Sequence, residues 1–431
     1  MGENIKPFDG VNQKFIINGQ KKLAGTINVR GAKNAALKIF PVVLMADGPI
    51  KIMNVPDIED CRRAEEMLLA LGHGVKKEKK GELEIERKNK TCINLPAELV
   101  NKFRASIMFV GPLLASCGDV HFPHPGGCVI GAGTRPIDMF LAGFKKMGAD
   151  VEILENHYRL TAKRLKGTTI FFPRITVTGT ESMMMTACLA EGKTVLRNCA
   201  MEPEIPTLAD FLNSLGAKIK GAGTSIIEIE GVKKLNGGEI KIMPDRIEAG
   251  TFAILAAAAN NGEVLIENCN PEHLEVLWSQ FDKIGVKYSL GDNFVKILPS
   301  SKILAADITT HEYPGFATDL QSAYTVLMTQ AQGLSLIHET IYDRRLIFTD
   351  MLTQMGANII MADPHRVVIS GPSKLYGRKL MSPDLRAGMA LVIAALIAEG
   401  KTEISNIYQI ERGYEGLVER LSGLGADIKK A

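Results

Sequence analysis

A thiol and a guanidinium share one short stretch of this chain, Cys128 and Arg135 within the run from His124 to Asp138. Glycines at 126, 127, 131 and 133 and prolines at 125 and 136 surround them. That composition denies the backbone a regular ladder and predicts a loop. A loop bearing a thiol and a cation reads as a lid that brings chemistry to a bound anion. The other reading is a surface loop with an ordinary cysteine, and the loop alone does not choose. More cations stand where chain segments enter apolar helical patterns: Lys33, Arg104, Arg246 and Arg386. Helix amino ends favour anions, through free N–H groups and the dipole, and disfavour cations unless an anion is present. Two readings follow: an anionic ligand, or ion pairs to Asp245, Glu248, Asp319 or Asp384. Arg345 and Arg412 complete the set of charged departures from pattern.

The elements that would position these residues follow from an internal repeat. A small residue, then Gly, then a short alternating strand often ending in Asn occurs as ADGPIKIMN (46–54), ASCGDVHF (115–122), AEGKTVLRN (190–198), ANNGEVLIEN (259–268), AQGLSLIHE (331–339) and AEGKTEISN (398–406). A second signature places Gly72, Gly148, Gly216, Gly285, Gly356 and Gly425 before a strand, each read as a helix C-cap. The period of about 70 residues exceeds the solenoid range, so each copy is a complete β-α-β-α-β-β block. Its first helix is apolar on most faces and should be buried; its second, as over 60–70 or 208–214, should face solvent on one side. The phrases IEGVKKLNG (229–237) and ISGPSKLYG (369–377) recur as INGQKKLAG (17–25), which has no block before it. The sixth block stops without closing strands, so the N-terminal strands should complete it. Six blocks close as one ring or split three and three; three suffice to bury their helices, which favours two domains. The division expected is 32–240, carrying the Cys128 loop, and 1–31 plus 241–431.

The chain has 431 residues, 46% hydrophobic, and a net charge of +3, so it is globular and too balanced for a nucleic-acid surface. Seven cysteines without C-x-x-C spacing predict a reducing compartment, with most thiols acting as small core hydrophobes. His73, His157, His273 and His365 lack metal-ligand spacing and read as turn or surface residues. Residues 1–13 carry no signal-peptide core, and the longest apolar run, 387–398, is too short for a bilayer. A cytoplasmic location without membrane contact is expected.

The motifs GAKNAAL (31–37), FRAS (103–106), PGGCVIGA (125–132), RPID (135–138), VTGTE (177–181), EPEI (202–205), PDRIEAGTF (244–252), FATDLQ (316–321), DLRA (384–387) and ERGYE (411–415) give a resemblance. From about Phe15 onward the chain resembles the enolpyruvyl transferase family, in its nucleotide-sugar branch. The resemblance implies two inside-out α/β domains of three β-α-β-α-β-β units each, with buried helices and a cleft closed by the loop. It implies transfer of the enolpyruvyl group of phosphoenolpyruvate to the 3′-hydroxyl of UDP-N-acetylglucosamine, with release of phosphate. That is the first committed step of peptidoglycan synthesis, and so of cell-wall biogenesis, cell shape and division. Under it, Cys128 donates the proton, can form an adduct with phosphoenolpyruvate, and is the target of fosfomycin. Asp319 takes the proton of the sugar hydroxyl. Lys33, Asn34, Arg135 and Arg412 hold phosphoenolpyruvate. Arg104, Arg135, Pro136, Ile137, Asp138, Met139, Arg174, Ile175, Thr176, Val177, Asp319 and Ile341 hold the nucleotide sugar, and Arg246, Arg345 and Arg386 support the cleft. No metal or organic cofactor is implied. Gly133-Thr134 lengthens the loop by two residues relative to the family, and Arg174 stands where lysine is common. Transfer to a shikimate-type acceptor and a non-catalytic nucleotide-sugar-binding paralogue are the alternatives. The oligomeric state is not legible.

Overall fold

The computed structural model describes residues 13–88, 93–102, 104–124 and 137–431. Within them lie six small sheets, one per repeat, and all follow one plan. In the sheet built from Thr169–Phe171, Lys193–Arg197, Ile226–Glu230 and Lys218–Lys220, the first pair is parallel and the others antiparallel. The alternation of Lys193–Arg197 turns Thr194 and Leu196 inward and leaves Lys193 and Arg197 in solvent, as period two requires. Among the described residues the second repeat has a bridge, Asn94 to His121, where the others have an opening strand.

The repeat's Asn signal has a structural reason. Asn54, Asn198, Asn268 and Asn406 sit at φ between 56° and 59°, the left-handed region that Asn tolerates best after Gly. Their amides donate to the carbonyls of Ile242, Phe172, Val29 and Ser382, each just past the opening strand of the same sheet. The six C-cap glycines all have positive φ, from 81° at Gly285 to 108° at Gly356. At Gly148 (φ 91°) an added Cβ would meet nothing within 4 Å, so strain there is purely conformational. Gly148→Ala should cost about 1 kcal/mol, read by denaturant titration.

The inner helices are Lys33–Val42, Val110–Cys117, Val177–Ala187, Arg246–Ala259, Thr318–Met328 and Leu385–Ile397. Arg246–Ala259 is buried at every residue but its last, matching its Ala-rich, moment-poor sequence. Outer helices such as Glu59–Ala70 and Glu275–Ile284 bury one stripe only. Side chains separate into two apolar cores, one drawn from residues 32–243 and the other from 15–29 and 247–428. This is the two-domain inside-out α/β architecture expected.

Two expectations need correction. The N-terminal strands do not both complete the sixth sheet. Lys14–Asn18 does, between Lys401–Ser405 and Asp427–Lys430, but Gly25–Asn28 runs parallel to Val264–Glu267 in the fourth. By the same exchange Leu235–Lys241 opens the first sheet beside Ala46–Met53. The recurring phrase is thus a closing strand followed by the opening strand of another block. Second, His73 is buried at 4% exposure, because it starts the strand His73–Lys79 under the first core; burial lowers its pKa. Among the described cysteines, Cys61, Cys188, Cys199 and Cys269 are buried, as expected for most of the thiols, and Cys117 is exposed at a helix end. Cys92 and Cys128 lie outside the described residues.

The chain passes between the two cores twice, side by side. Gly31 bridges Pro244, the Ala32 N–H donates to the Met243 carbonyl at 2.7 Å, and the Asp245 N–H to Arg30 at 2.9 Å. Asp245 caps helix Arg246–Ala259 through Oδ1 and accepts the Lys33 N–H on Oδ2 at 3.2 Å. One carboxylate therefore fixes the amino ends of an inner helix from each core.

Candidate active site

Lys33 and Arg412 belong to different cores and meet on one carboxylate. Lys33 Nζ lies 2.7 Å from Asp60 Oδ2, and Arg412 Nε donates to Asp60 Oδ1 at 2.9 Å. Asp60 starts the outer helix Glu59–Ala70, where an acidic residue suits the dipole. Burial alone would raise its pKa, but Lys33 and Arg412 hold it below the usual carboxylate range. One carboxylate thus gathers two cations, one from each core.

Asp319 lies in the first turn of helix Thr318–Met328 with both oxygens occupied. Arg345 Nη2 donates to Oδ1 at 2.8 Å and Arg386 Nη2 to Oδ2 at 2.9 Å. Burial opposes the charge, yet the Arg386 and Arg345 guanidiniums drive the Asp319 pKa far below its ordinary value. Each arginine is held in turn. Arg345 Nη1 donates to Thr318 Oγ1, which donates to Glu339 Oε2; Glu339 Oε1 also accepts the Ile341 and Tyr342 N–H groups. Arg386 Nη1 donates to Tyr414 Oη at 3.3 Å, and that hydroxyl is 3.2 Å from Thr251 Oγ1. Tyr414 is two residues past Arg412, so the motif 411–415 touches both clusters. Burial weighs against charge on Arg386, but Asp319, Tyr414 and Asp245 raise its pKa. The two clusters are thereby joined through Asp245, which also holds the Lys33 N–H.

Arg246 pairs with Glu204, at 3.3 Å, and lies over the Tyr313 ring at 5.6 Å. The ion-pair reading of the helix-start cations holds for three of them: Lys33, Arg246 and Arg386 all have carboxylate partners. The partners are Asp60, Glu204 and Asp319, only the last of which was among those considered. Asn34 is half-buried in the first turn of Lys33–Val42, and Arg104 opens the short helix Arg104–Phe109, partly buried. Ile137 is buried, Asp138 exposed and Met139 half-buried at the start of helix Asp138–Lys146. Arg174 is exposed, and Ile175, Thr176 and Val177 are half-buried where Thr176 caps helix Val177–Ala187. Ile341 is half-buried beside Glu339. The Thr176 cap is the Gly179 N–H donating to its Oγ1 at 3.2 Å. Cys128, Arg135 and Pro136 lie outside the described residues. No group of three His, Cys, Asp or Glu side chains suited to a metal, and no helix long and apolar enough to cross a membrane, occurs among the described residues.

Asp60 and Glu339 escaped the sequence reading, and Tyr414 entered it only within the motif 411–415. A carboxylate in the first turn of an outer helix is an ordinary capping preference, and only the fold shows that two cations converge on it. Replacing Asp60 with Asn leaves Lys33 and Arg412 facing each other. Breaking a buried pair costs about 3–5 kcal/mol, so the melting temperature should fall. Inorganic phosphate should then stabilise Asp60→Asn more than the parent, because an anion takes the place of the lost carboxylate. Equal stabilisation of both would refute these cations as anion holders. Asp60's own contribution to stability is full above the ordinary aspartate range and is lost as pH falls through its lowered folded pKa.

Comparison with known proteins follows the same line. The model of the family EPSP synthase (3-phosphoshikimate 1-carboxyvinyltransferase) matches residues 17–421. A UDP-N-acetylglucosamine 1-carboxyvinyltransferase of Desulforapulum autotrophicum is 45% identical over 417 residues, covering 97% of this chain and 99% of the relative. Its counterpart in Halothermothrix orenii is 46% identical with the same coverage. Among solved structures, the enolpyruvyl transferase NikO from Streptomyces tendae superposes with a TM-score of 0.88 at 23% identity, covering 97% of this chain and 99% of that one. EPSP synthase from Acinetobacter baumannii does so at 0.73 with 18% identity, covering 97% and 100%. At these identities the two structures speak for the fold alone.

Proposed function

The chain belongs to the EPSP synthase family, and on that premise we propose how its residues divide the work of enolpyruvyl transfer. The reaction is that of a UDP-N-acetylglucosamine 1-carboxyvinyltransferase. Phosphoenolpyruvate gives its enolpyruvyl group to the sugar 3′-hydroxyl, and phosphate leaves. Identity of 45% over nearly the whole chain to an enzyme bearing that name favours the nucleotide sugar over a shikimate-type acceptor. The observation that carries the site assignment is the meeting of Lys33 and Arg412, one from each core, on the Asp60 carboxylate.

The division of the chain into 32–240 and 1–31 plus 241–431 is supported by the two separate apolar cores. Phosphoenolpyruvate would lie between them, its phosphate and carboxylate against Lys33, Arg412 and Arg135, with Asn34 at the reacting carbons. The Cys128 thiol gives its proton to C3 as C2 becomes electrophilic. The sugar oxygen bonds to C2, and its proton passes to Asp319. The tetrahedral intermediate then carries phosphate, carboxylate, methyl and the sugar ether on C2. Phosphate then leaves C2 with its bonding electron pair and takes the proton held by Asp319, while the Cys128 thiolate takes back one methyl proton; the double bond is restored and both groups return to their starting states. Asp319, held far below the usual range, is a weak base for a free hydroxyl. It binds and orients that hydroxyl as an acceptor, and takes the proton only once C–O bond formation has made the oxygen strongly acidic.

The nucleotide sugar would rest on Arg104, Arg135 to Met139, Arg174 to Val177, Asp319 and Ile341. Forked guanidinium donors suit its diphosphate. Arg246, Arg345 and Arg386 act through their carboxylate partners and keep the cleft walls in place. The reaction implies a cytoplasmic protein, where both substrates are made. The test is phosphate release on mixing phosphoenolpyruvate with UDP-N-acetylglucosamine, beside a shikimate 3-phosphate control. Release with the nucleotide sugar only is expected. Binding of the sugar by calorimetry without turnover would instead indicate the non-catalytic paralogue.

A further inference from the structure

Lys38 and Glu181 form an ion pair deep in the first core, on no surface of the site described above. Lys38 is 6% exposed and Glu181 not at all; Lys38 Nζ lies 3.3 Å from Glu181 Oε2. The same ammonium donates to the carbonyl of Asn34 at 2.8 Å. Neither Glu181 oxygen has a hydrogen-bond partner among the described residues.

The repeat makes the pair conspicuous. Counted from the N-caps Ala32, Thr176, Asp245, Ala317 and Asp384, the sixth residues are Lys38, Ser182, Thr251, Ala323 and Ala390. The fifth are Leu37, Glu181, Gly250, Ser322 and Met389. Every equivalent is uncharged, as an inner helix packed on its neighbours requires. Two charges at such positions cost several kcal/mol each in desolvation, and apolar residues would pack there at least as stably. Stability therefore does not explain them, and their position does. Lys38 grips the first turn of the helix bearing Lys33 and Asn34. Glu181 lies one turn into the helix whose amino end carries residues 174–177. The surrounding charges are unbalanced: Glu202 and Glu204 add two carboxylates and Arg246 one cation. Burial, then these carboxylates against Lys38, push the Glu181 carboxyl up to about 8.

We propose that Lys38 and Glu181 are positioning residues that lock the phosphoenolpyruvate turn at Lys33-Asn34 to the nucleotide-sugar turn at 174–177, so that both substrates sit in one register. The proposal rests on the site assignment above. A displacement of about 1 Å at such a turn costs up to 100-fold in rate.

The decisive variant is the double replacement Lys38→Met with Glu181→Leu, which removes both charges and keeps volume. It should fold with a melting temperature equal to or above the parent's. Its kcat for phosphate release should fall at least about tenfold, while KM for UDP-N-acetylglucosamine changes less than about threefold. Glu181→Gln, which keeps shape, should lower kcat in the same direction. A folded double variant with kcat within about twofold of the parent overturns the proposal. So does a loss of stability without a change in kcat. Amide hydrogen exchange gives a readout that needs no activity. Exchange at residues 33–36 and 177–180 should quicken together in both variants, while 246–249 and 385–388 stay unchanged. If the parent releases no phosphate, the functional reading fails on its own, and coupled exchange still decides whether the pair ties the two turns. Unchanged exchange at 33–36 and 177–180 refutes it.

Discussion

Replacing Asp319 with Asn lowers kcat for phosphate release by about 10²–10⁴, the range in which a positioned proton acceptor contributes. The substitution keeps the size of the side chain and removes its charge, so the fall reads the charge. Its cost to the fold is separate and also measurable. Arg345 is 5% exposed and Arg386 7%, and both Asp319 oxygens accept from them at 2.8 and 2.9 Å. Removing the one carboxylate between two buried guanidiniums destabilises by about 3–5 kcal/mol. The Asp319 pKa is depressed, so its contribution is complete above the ordinary aspartate value of 3.8 and is lost only as pH falls through the folded value. The parent's kcat profile should therefore show no limb from Asp319 between about pH 5 and 8. An acid limb in that range that vanishes in Asp319→Asn would mean that the carboxylate is not held as the two arginines hold it here. Asp319→Asn with parental kcat would remove it from the reaction altogether.

The fold was legible because it is written six times. Each copy reports the same periodicities, so an ambiguous strand in one block is settled by its equivalent in another. What the repeat concealed was the exchange of strands. Gly25–Asn28 and Leu235–Lys241 have the pattern of any opening strand, and nothing local says which sheet each one opens. That choice is fixed by the paired crossing at Gly31 and Pro244, a long-range contact with no sequence period.

The site divided along the same line. Cations at helix starts stand out because they contradict a local rule, so Lys33, Arg246 and Arg386 could be singled out from the chain alone. Carboxylates at helix starts obey the rule, so Asp60 and Glu204 did not stand out as partners. Tyr414 was visible only as part of a motif. Its hydroxyl has meaning once Arg386 and Thr251 are placed beside it, 28 and 163 residues away along the chain. The buried pair Lys38–Glu181 lay inside two apolar helical patterns, where a single charge reads as an interruption until its partner is known.

Cys128 carries the other large expected effect. Cys128→Ser replaces a thiol, mostly protonated near neutrality with a reference pKa of about 8.5, by a hydroxyl that is a far weaker acid. The C3 proton then has no donor of matching strength, and phosphate release should fall by about 10²–10⁴. Cys128→Asp should retain part of the activity, because a carboxyl can deliver the same proton, with an optimum moved to lower pH. Fosfomycin should add its mass to the parent at the peptide containing Cys128 and leave the serine variant unmodified. Gly133 and Thr134 are the two residues by which this stretch exceeds the family pattern, and neither can serve as the acid. Deleting them should change KM for phosphoenolpyruvate more than the pH profile of kcat. The acid role does not survive a Cys128→Ser enzyme with parental turnover. It does survive slow turnover with an unchanged KM, since a proton donor acts in the transition state and contributes little to binding the ground state.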